Sequence, residues 1–339
     1  MKPKLHELLI AITLIAAVSC KKAGNKETGK FLTTNLPETV TTGDQYILCT
    51  EQSQNRVSII DITNNTFFWN WKAGVNNNIP AADAGWFDLP SEAKRVYNGL
   101  YILMTSSDGG VALIRQSSKK AVVYAKGIGN MHCAELLPDG NIVAVSSDSN
   151  YIMIFRADTV HLPGTIKWKI KFGDTGPHNV VWDKTRNKLW AAGQHWLYSF
   201  TYNYDCHNPS LSKADSVSLD SVAAANAHDL FPMYGSTDSL WLTTGGKVWK
   251  FSAANIHTKF KLVATITGVK SISSGPAGYP TIYMQAISDA MWWNDTVKNL
   301  ANGLPVFQMT GLEIYKARWK ITDDNTFSYP AGDTLKVCL

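Results

Sequence analysis

Most of the chain consists of short runs in which apolar and polar positions alternate at period two, broken by clusters of turn residues. Residues 129–155, "GNMHCAELLPDGNIVAVSSDSNYIMIF", give the pattern in full. A strand leads to the turn Pro138-Asp139-Gly140, a second strand runs through "IVAV", and after another polar turn a third strand ends at Phe155. Period two sends successive side chains to opposite faces, so each run predicts a β-strand. The exception is "DTVKNLANG", residues 295–303, whose spacing predicts a short helix.

The strands recur in groups. "HCAELLPDGNIVAVSSDSNYIMIF" from His132, "HNVVWDKTRNKLWAAGQHWLYSF" from His178 and "HDLFPMYGSTDSLWLTTGGKVWKF" from His228 share one layout. Each has a histidine, an apolar strand, a polar turn, a second strand, a short turn, and a third strand ending in Phe. The histidines are 46 and then 50 residues apart. Weaker copies lie upstream in "EAKRVYNGLYILMTSSDGGVALI" and downstream in "VKSISSGPAGYPTIYMQAI", and "QYILCTEQSQNRVSIIDITNNTFFWNW" supplies the second to fourth strands of a first copy. Repeats of this length, with antiparallel strands and polar turns, describe propeller blades that bury one another's faces around an axis. The expected fold is all-β: a single six-bladed propeller of about four antiparallel strands per blade, over residues 41–339. Seven blades is the alternative, because residues 288–339 are irregular, and the tail "FSYPAGDTLKVCL" is expected to supply the strand that closes the ring.

The first strand of a propeller blade lines the central channel, so the repeat puts His132, His178 and His228 at one blade position on three consecutive blades, converging on one mouth. A lone histidine there would be a structural residue bonded to a carbonyl; three in register, out of eight in the chain, predict a functional cluster. Lys94 in "SEAKRVYNG" and Lys270 in "GVKSISSG" are expected beside them, the basic part of a ligand-binding mouth that attracts a carboxylate or sulfate. Glu92, Glu135 and Asp229 are candidates to orient the imidazoles or to pair with the lysines. Three neutral imidazoles also make a candidate metal set, for a divalent ion such as manganese, zinc or calcium.

Composition narrows the partners. Hydrophobic residues make up 45% of the 339 and charged residues 17%, which suits a large globular core. The net charge is +5 without a long basic run, which argues against nucleic acid. The chain holds 12 Trp, and Trp86, Trp196, Trp292 and Trp293 fall in loop-like stretches where an exposed ring could stack on a sugar. There is neither a G-x-S-x-G elbow nor a Gly-rich phosphate loop entering a helix.

The start of the chain, "MKPKLHELLIAITLIAAVSC", has basic Lys2 and Lys4, an apolar run from Leu8 to Val18, and small residues before Cys20. The run is short for a membrane span and reads as a lipoprotein signal peptide, residues 1–19, with Cys20 as the lipidated residue. Residues 20–40 then form a polar tether. The expectation is an exported bacterial lipoprotein, anchored by lipid alone at the outer membrane or cell surface. The other four cysteines, Cys49, Cys133, Cys206 and Cys338, could pair in an exported protein, with the pairing left open; Cys49 and Cys133 sit in strand-like runs where a buried thiol is the simpler reading, and no zinc spacing occurs.

The lipobox, "HCAELLPDGNIVAVSS", "PHNVVWDKTRNKLWAAG" and "GLEIYKARWK" resemble an uncharacterised family of six-bladed propeller lipoproteins. The resemblance runs from about Asp44 to Lys320 and implies the fold but no reaction. More distantly, the channel histidines resemble those of propeller polysaccharide lyases such as oligogalacturonate lyase, although their paired histidine motif is not matched. That likeness implies an acidic oligosaccharide, held by Lys94 and Lys270, with His178 or His228 as the catalytic base. The alternatives are capture of a glycan or other anion without chemistry, and a protein-interaction scaffold that needs no registered histidines.

Overall fold

The computed structural model describes residues 30–31, 45–321, 327–328 and 334–338. Six antiparallel sheets surround one axis, each with four blade strands. Blades 2 to 5 begin at the channel with Pro90–Val96, Met131–Leu136, Asn179–Asp183 and Asp229–Pro232, and blade 6 with Val269–Ser273. Blade 1 is closed by both ends of the described fold: Tyr46–Glu51, Arg56–Asp61 and Thr66–Trp71 are its outer strands, and Ile314–Trp319 is its inner strand, antiparallel to Tyr46–Glu51. Each inner strand packs against the next, all the way round. A two-residue strand, Lys30–Phe31, adds a parallel edge to blade 1.

The alternation at period two builds the blade interfaces. In blade 3, Leu136, Ala144 and Met153 pack towards blade 2, while Cys133, Val143 and Ile154 pack towards blade 4. Both faces of a blade are therefore dry, which is why its inner strands are buried along their length. Tight turns use asparagine in the left-handed region, as at Asn55 and Asn187. Among the described residues, no helix is long and apolar enough to cross a membrane.

Two expectations are corrected. Residues 295–303 are not helical: Thr296–Asn299 is a strand paired on both edges, to Ile282–Gln285 and Pro305–Gln308. Ladder partners on both sides override so short a helical pattern. The closing strand is Ile314–Trp319 rather than the tail. The described tail residues instead lie along the end of the propeller where the inner strands finish. Phe327 accepts a hydrogen bond from the Lys184 amide. The Lys336 ammonium reaches the Pro138 carbonyl, and the Lys336 carbonyl crowds Gly140, whose φ of +95° and missing Cβ make room for it. Cys338 is disulfide-bonded to Cys206, while Cys49 and Cys133 are buried free thiols. The proposed signal peptide, Cys20 and nearly all of the tether lie outside the described residues.

Candidate functional site: a ring of residues at the channel mouth

The start of the inner strands is a single structural position repeated six times. In blades 1, 2, 3 and 6 the pairing of the first two strands slips by one residue there, leaving Tyr315, Ser91, His132 and Lys270 as the extra residue of a β-bulge. In blades 4 and 5 the equivalent residues, His178 and His228, immediately precede the strand and bond through their amides to Ala192 and Thr243. A bulge frees a side chain from the pleat and re-aims it. The mouth is thus a ring of Ser91, His132, His178, His228, Lys270 and Tyr315, one from each blade.

Four members of the ring touch: Tyr315, His132, His178 and His228. The imidazoles of His132 and His178 lie 4.4 Å apart between centroids, and those of His178 and His228 5.1 Å. The hydroxyl of Tyr315 is 3.3 Å from His132 Nδ1. Ser91 stands between them in blade order, and its small side chain turns away to Thr105 and the Met131 carbonyl. His178 Nδ1 sits 2.5 Å from the Gly176 carbonyl oxygen. A carbonyl only accepts, so Nδ1 carries the proton and Nε2 of the neutral ring is a bare lone pair. His228 Nδ1 is buried without a partner.

Burial keeps all three imidazoles neutral. It pushes His178 down to about 4, against the lifting effect of Gly176, and His228 down to about 2, with the Lys270 charge adding to the effect. His132 is also driven well below the usual imidazole range by burial and by His178. Lys270 has its ammonium lowered by burial, offset in part by Asp289, and makes no hydrogen bond or ion pair among the described residues.

Beneath the ring the channel is filled by ion pairs. Lys316 Nζ is 2.9 Å from Glu92 Oε2 and 3.3 Å from Asp229 Oδ1. Arg318 bridges the same two carboxylates at 2.8 and 2.6 Å and covers the Phe231 ring. Burial would raise Asp229, but Arg318 and Lys316 hold it at about 2. Two cations and two anions make this layer neutral, which leaves Lys270, with Asp289 acting on it but no ion pair among the described residues, as the cation of the ring.

The structure brings His132, His178, His228 and Lys270 together but not Lys94. That lysine lies three residues beyond Ser91, buried, and bonds to Glu135 at 3.3 Å and to the Val180 carbonyl at 2.9 Å. Glu92 and Asp229 pair with Lys316 and Arg318 rather than with the histidines. As for a metal, the ligand atoms that meet within 4.8 Å of one another among the described residues are those of Cys206, His207 and Cys338, where the two sulfurs are already bonded. The histidine nitrogens do not gather so closely. Sequence reasoning missed Tyr315, Lys316 and Arg318. Their signal was the interval, since Tyr315 follows Lys270 by 45 residues, and the positive charges at every second position of "YKARWK".

All four candidate tryptophans lie at the mouth end, because the turns between second and third strands and the connections into each new blade share that end with the inner-strand starts. Trp196 stacks on Tyr198, and Trp86 packs beside Tyr124. Trp292 is 42% exposed.

Fold and ring together define a six-bladed β-propeller with a polar, basic mouth closed from below by ion pairs. Residues 3–338 match a family described as "family of unknown function (DUF6528)", and the chain belongs to that family. No curated protein matches it. Among solved structures, a chain of a nidogen/laminin complex is similar with a TM-score of 0.53 and 11% identity, covering 82% of this chain and 99% of its own. The β-propeller domain of Cps50 (Swd1) from Myceliophteria thermophila is similar with a TM-score of 0.51 and 11% identity, over 81% and 90%. At these identities the likeness is one of fold.

Proposed function

We propose that this chain is an exported, lipid-anchored propeller that binds a small anionic ligand, an acidic oligosaccharide, at the channel mouth. One observation carries the reading: the Lys270 ammonium, which makes no hydrogen bond or ion pair among the described residues and has only the more distant Asp289 as an anion acting on it, completes a ring with three neutral imidazoles and a phenol above a layer whose own charges cancel. A carboxylate supplies the missing counter-charge, and imidazole and phenol groups suit sugar hydroxyls. The lipobox ending at Cys20 supports export, and the Cys206–Cys338 disulfide suits an oxidising compartment.

Calorimetric titration with digalacturonate, against neutral galactobiose, tests the reading. The acidic sugar should bind and the neutral one should not. Lys270→Gln should weaken binding by about tenfold or more, the worth of one charged hydrogen bond. Equal affinity for both sugars, or an unchanged Lys270→Gln protein, would sink it. Protein treated with chelator should bind as before, because the histidine nitrogens are too far apart to share an ion without moving. Affinity that vanishes with chelator and returns with manganese, zinc or calcium would assign the histidines to a metal instead.

A second reading rests on His178. Its Nδ1 is fixed on Gly176, so the bare Nε2 lone pair is oriented as a general base is. If the protein is a lyase, digalacturonate yields an unsaturated product with new ultraviolet absorbance, abolished by His178→Ala. Saturable binding without product leaves a binder.

A further inference from the structure

The mouth has a wall that the ring does not include. In blade 6 the connection between Ile282–Gln285 and Thr296–Asn299 is a small hairpin that carries the exposed side chains of Ile287, Met291 and Trp292, at 49%, 41% and 42%. Backbone bonds from Ile287 to Trp293 and from Ser288 to Met291 shape it. Asn294 and Ile314 exchange backbone hydrogen bonds, which tie the hairpin to the start of the blade 1 inner strand, next to Tyr315. Asp289 at its tip acts on Lys270.

The indole of Trp292 is held in place. Its Nε1 donates to Gln52 Oε1 at 2.9 Å, and Gln52 Nε2 donates to the Pro90 carbonyl at 3.1 Å, one residue before the ring member Ser91. The Gln52 amide is itself bonded to the Glu313 carbonyl. The hairpin therefore runs along the rim from Lys270 in blade 6, past Tyr315, to Gln52 in blade 1, whose side chain reaches on to the edge of blade 2. A large aromatic ring left in water yet fixed by a two-step hydrogen-bond relay is preorganised to receive a flat apolar face.

We propose that Trp292 is a second subsite, which stacks the sugar ring next to the acidic unit held at Lys270. This deepens the proposed function and rests on it: the ligand becomes an oligosaccharide of at least two units, acidic at the ring and presenting a C–H face to the indole. Continuity between hairpin and ring, and the charge of Lys270, single out this occupant over a protein partner.

Calorimetric titration of the native protein, Trp292→Ala, Gln52→Ala and Lys270→Gln with galacturonic acid and with trigalacturonate tests the proposal. The native protein should prefer the trimer. Trp292→Ala should weaken the trimer by about three- to tenfold, the worth of one aromatic contact, and leave the monomer unchanged. Gln52→Ala, which keeps the indole but frees it, should show a smaller loss of the same kind. Lys270→Gln should weaken both sugars. If trimer and monomer bind alike and Trp292→Ala changes neither, while Lys270→Gln weakens both, the subsite is overturned and the parent reading stands. If the native protein binds neither sugar, both fall. A circular dichroism spectrum that matches the native one excludes misfolding of a variant as the cause.

Discussion

Lowering the pH from 7 to 5 should destabilise this protein through the ring itself. Burial holds His132, His178 and His228 neutral in the fold, so below the ordinary imidazole value of 6.5 only the unfolded chain takes up their protons. Their stability is present above about pH 6.5 and lost as the pH falls towards the folded values. Over those two pH units each imidazole loses about 2 kcal/mol, and the three together about 6. Glu135 acts in the opposite sense. Burial, only partly offset by Lys94, raises it to about 7, so the folded protein takes its proton first and gains about 2 kcal/mol on acidification. The net loss is about 4 kcal/mol, an upper value because His178 and His228 keep an edge in water. That is a large part of a typical folding free energy. Urea unfolding followed by tryptophan fluorescence, at the two pH values, measures it. Glu135→Gln should deepen the loss to about 6 kcal/mol, whereas a triple His132→Asn, His178→Gln, His228→Gln protein, which keeps Glu135, should gain about 2 kcal/mol over the same window. A native protein equally stable at both pH values, or a triple variant that keeps the acid loss, would refute the account of a buried neutral ring.

Other predictions follow from the same geometry. Lys270 carries the charge of the ring and burial keeps the imidazoles neutral well below pH 6, so digalacturonate affinity should stay level in calorimetry between pH 8 and 6; an affinity that climbs about tenfold per unit as the pH falls would assign the anion to protonated imidazoles instead. Arg318→Met leaves Glu92 and Asp229 sharing Lys316 alone, which should cost about 3–5 kcal/mol in urea unfolding. Reduction of Cys206–Cys338, which are 132 residues apart in sequence, should cost up to about 5 kcal/mol by the loop-entropy argument. It should lower the melting temperature and leave sugar binding intact, since the disulfide lies at the far end of the channel from the ring.

Much of the site was legible beforehand, for a specific reason. A propeller repeats one local structure, so a residue at the same offset in each repeat is at the same place in space. His132, His178 and His228 were found that way, and Lys270 with them. Lys94 was set at the mouth by the same reasoning and is not there. The strand it occupies starts at Pro90, and the ring position of that blade belongs to Ser91, a residue with nothing to mark it as special. The bulges that set this register are one-residue slips in pairing, and period-two alternation does not record where a slip falls.

The strands, the repeat and the members of the histidine cluster are readable along the chain, because alternation and interval are local properties. Which strand closes the ring, that Cys206 meets Cys338, and that Glu92 and Asp229 serve Lys316 and Arg318 rather than the imidazoles emerge only in the folded chain. Each of those choices joins residues roughly ninety or more positions apart. Such partners are chosen by which charges and edges remain unsatisfied once the blades have closed, and the pattern along the chain holds no term for that.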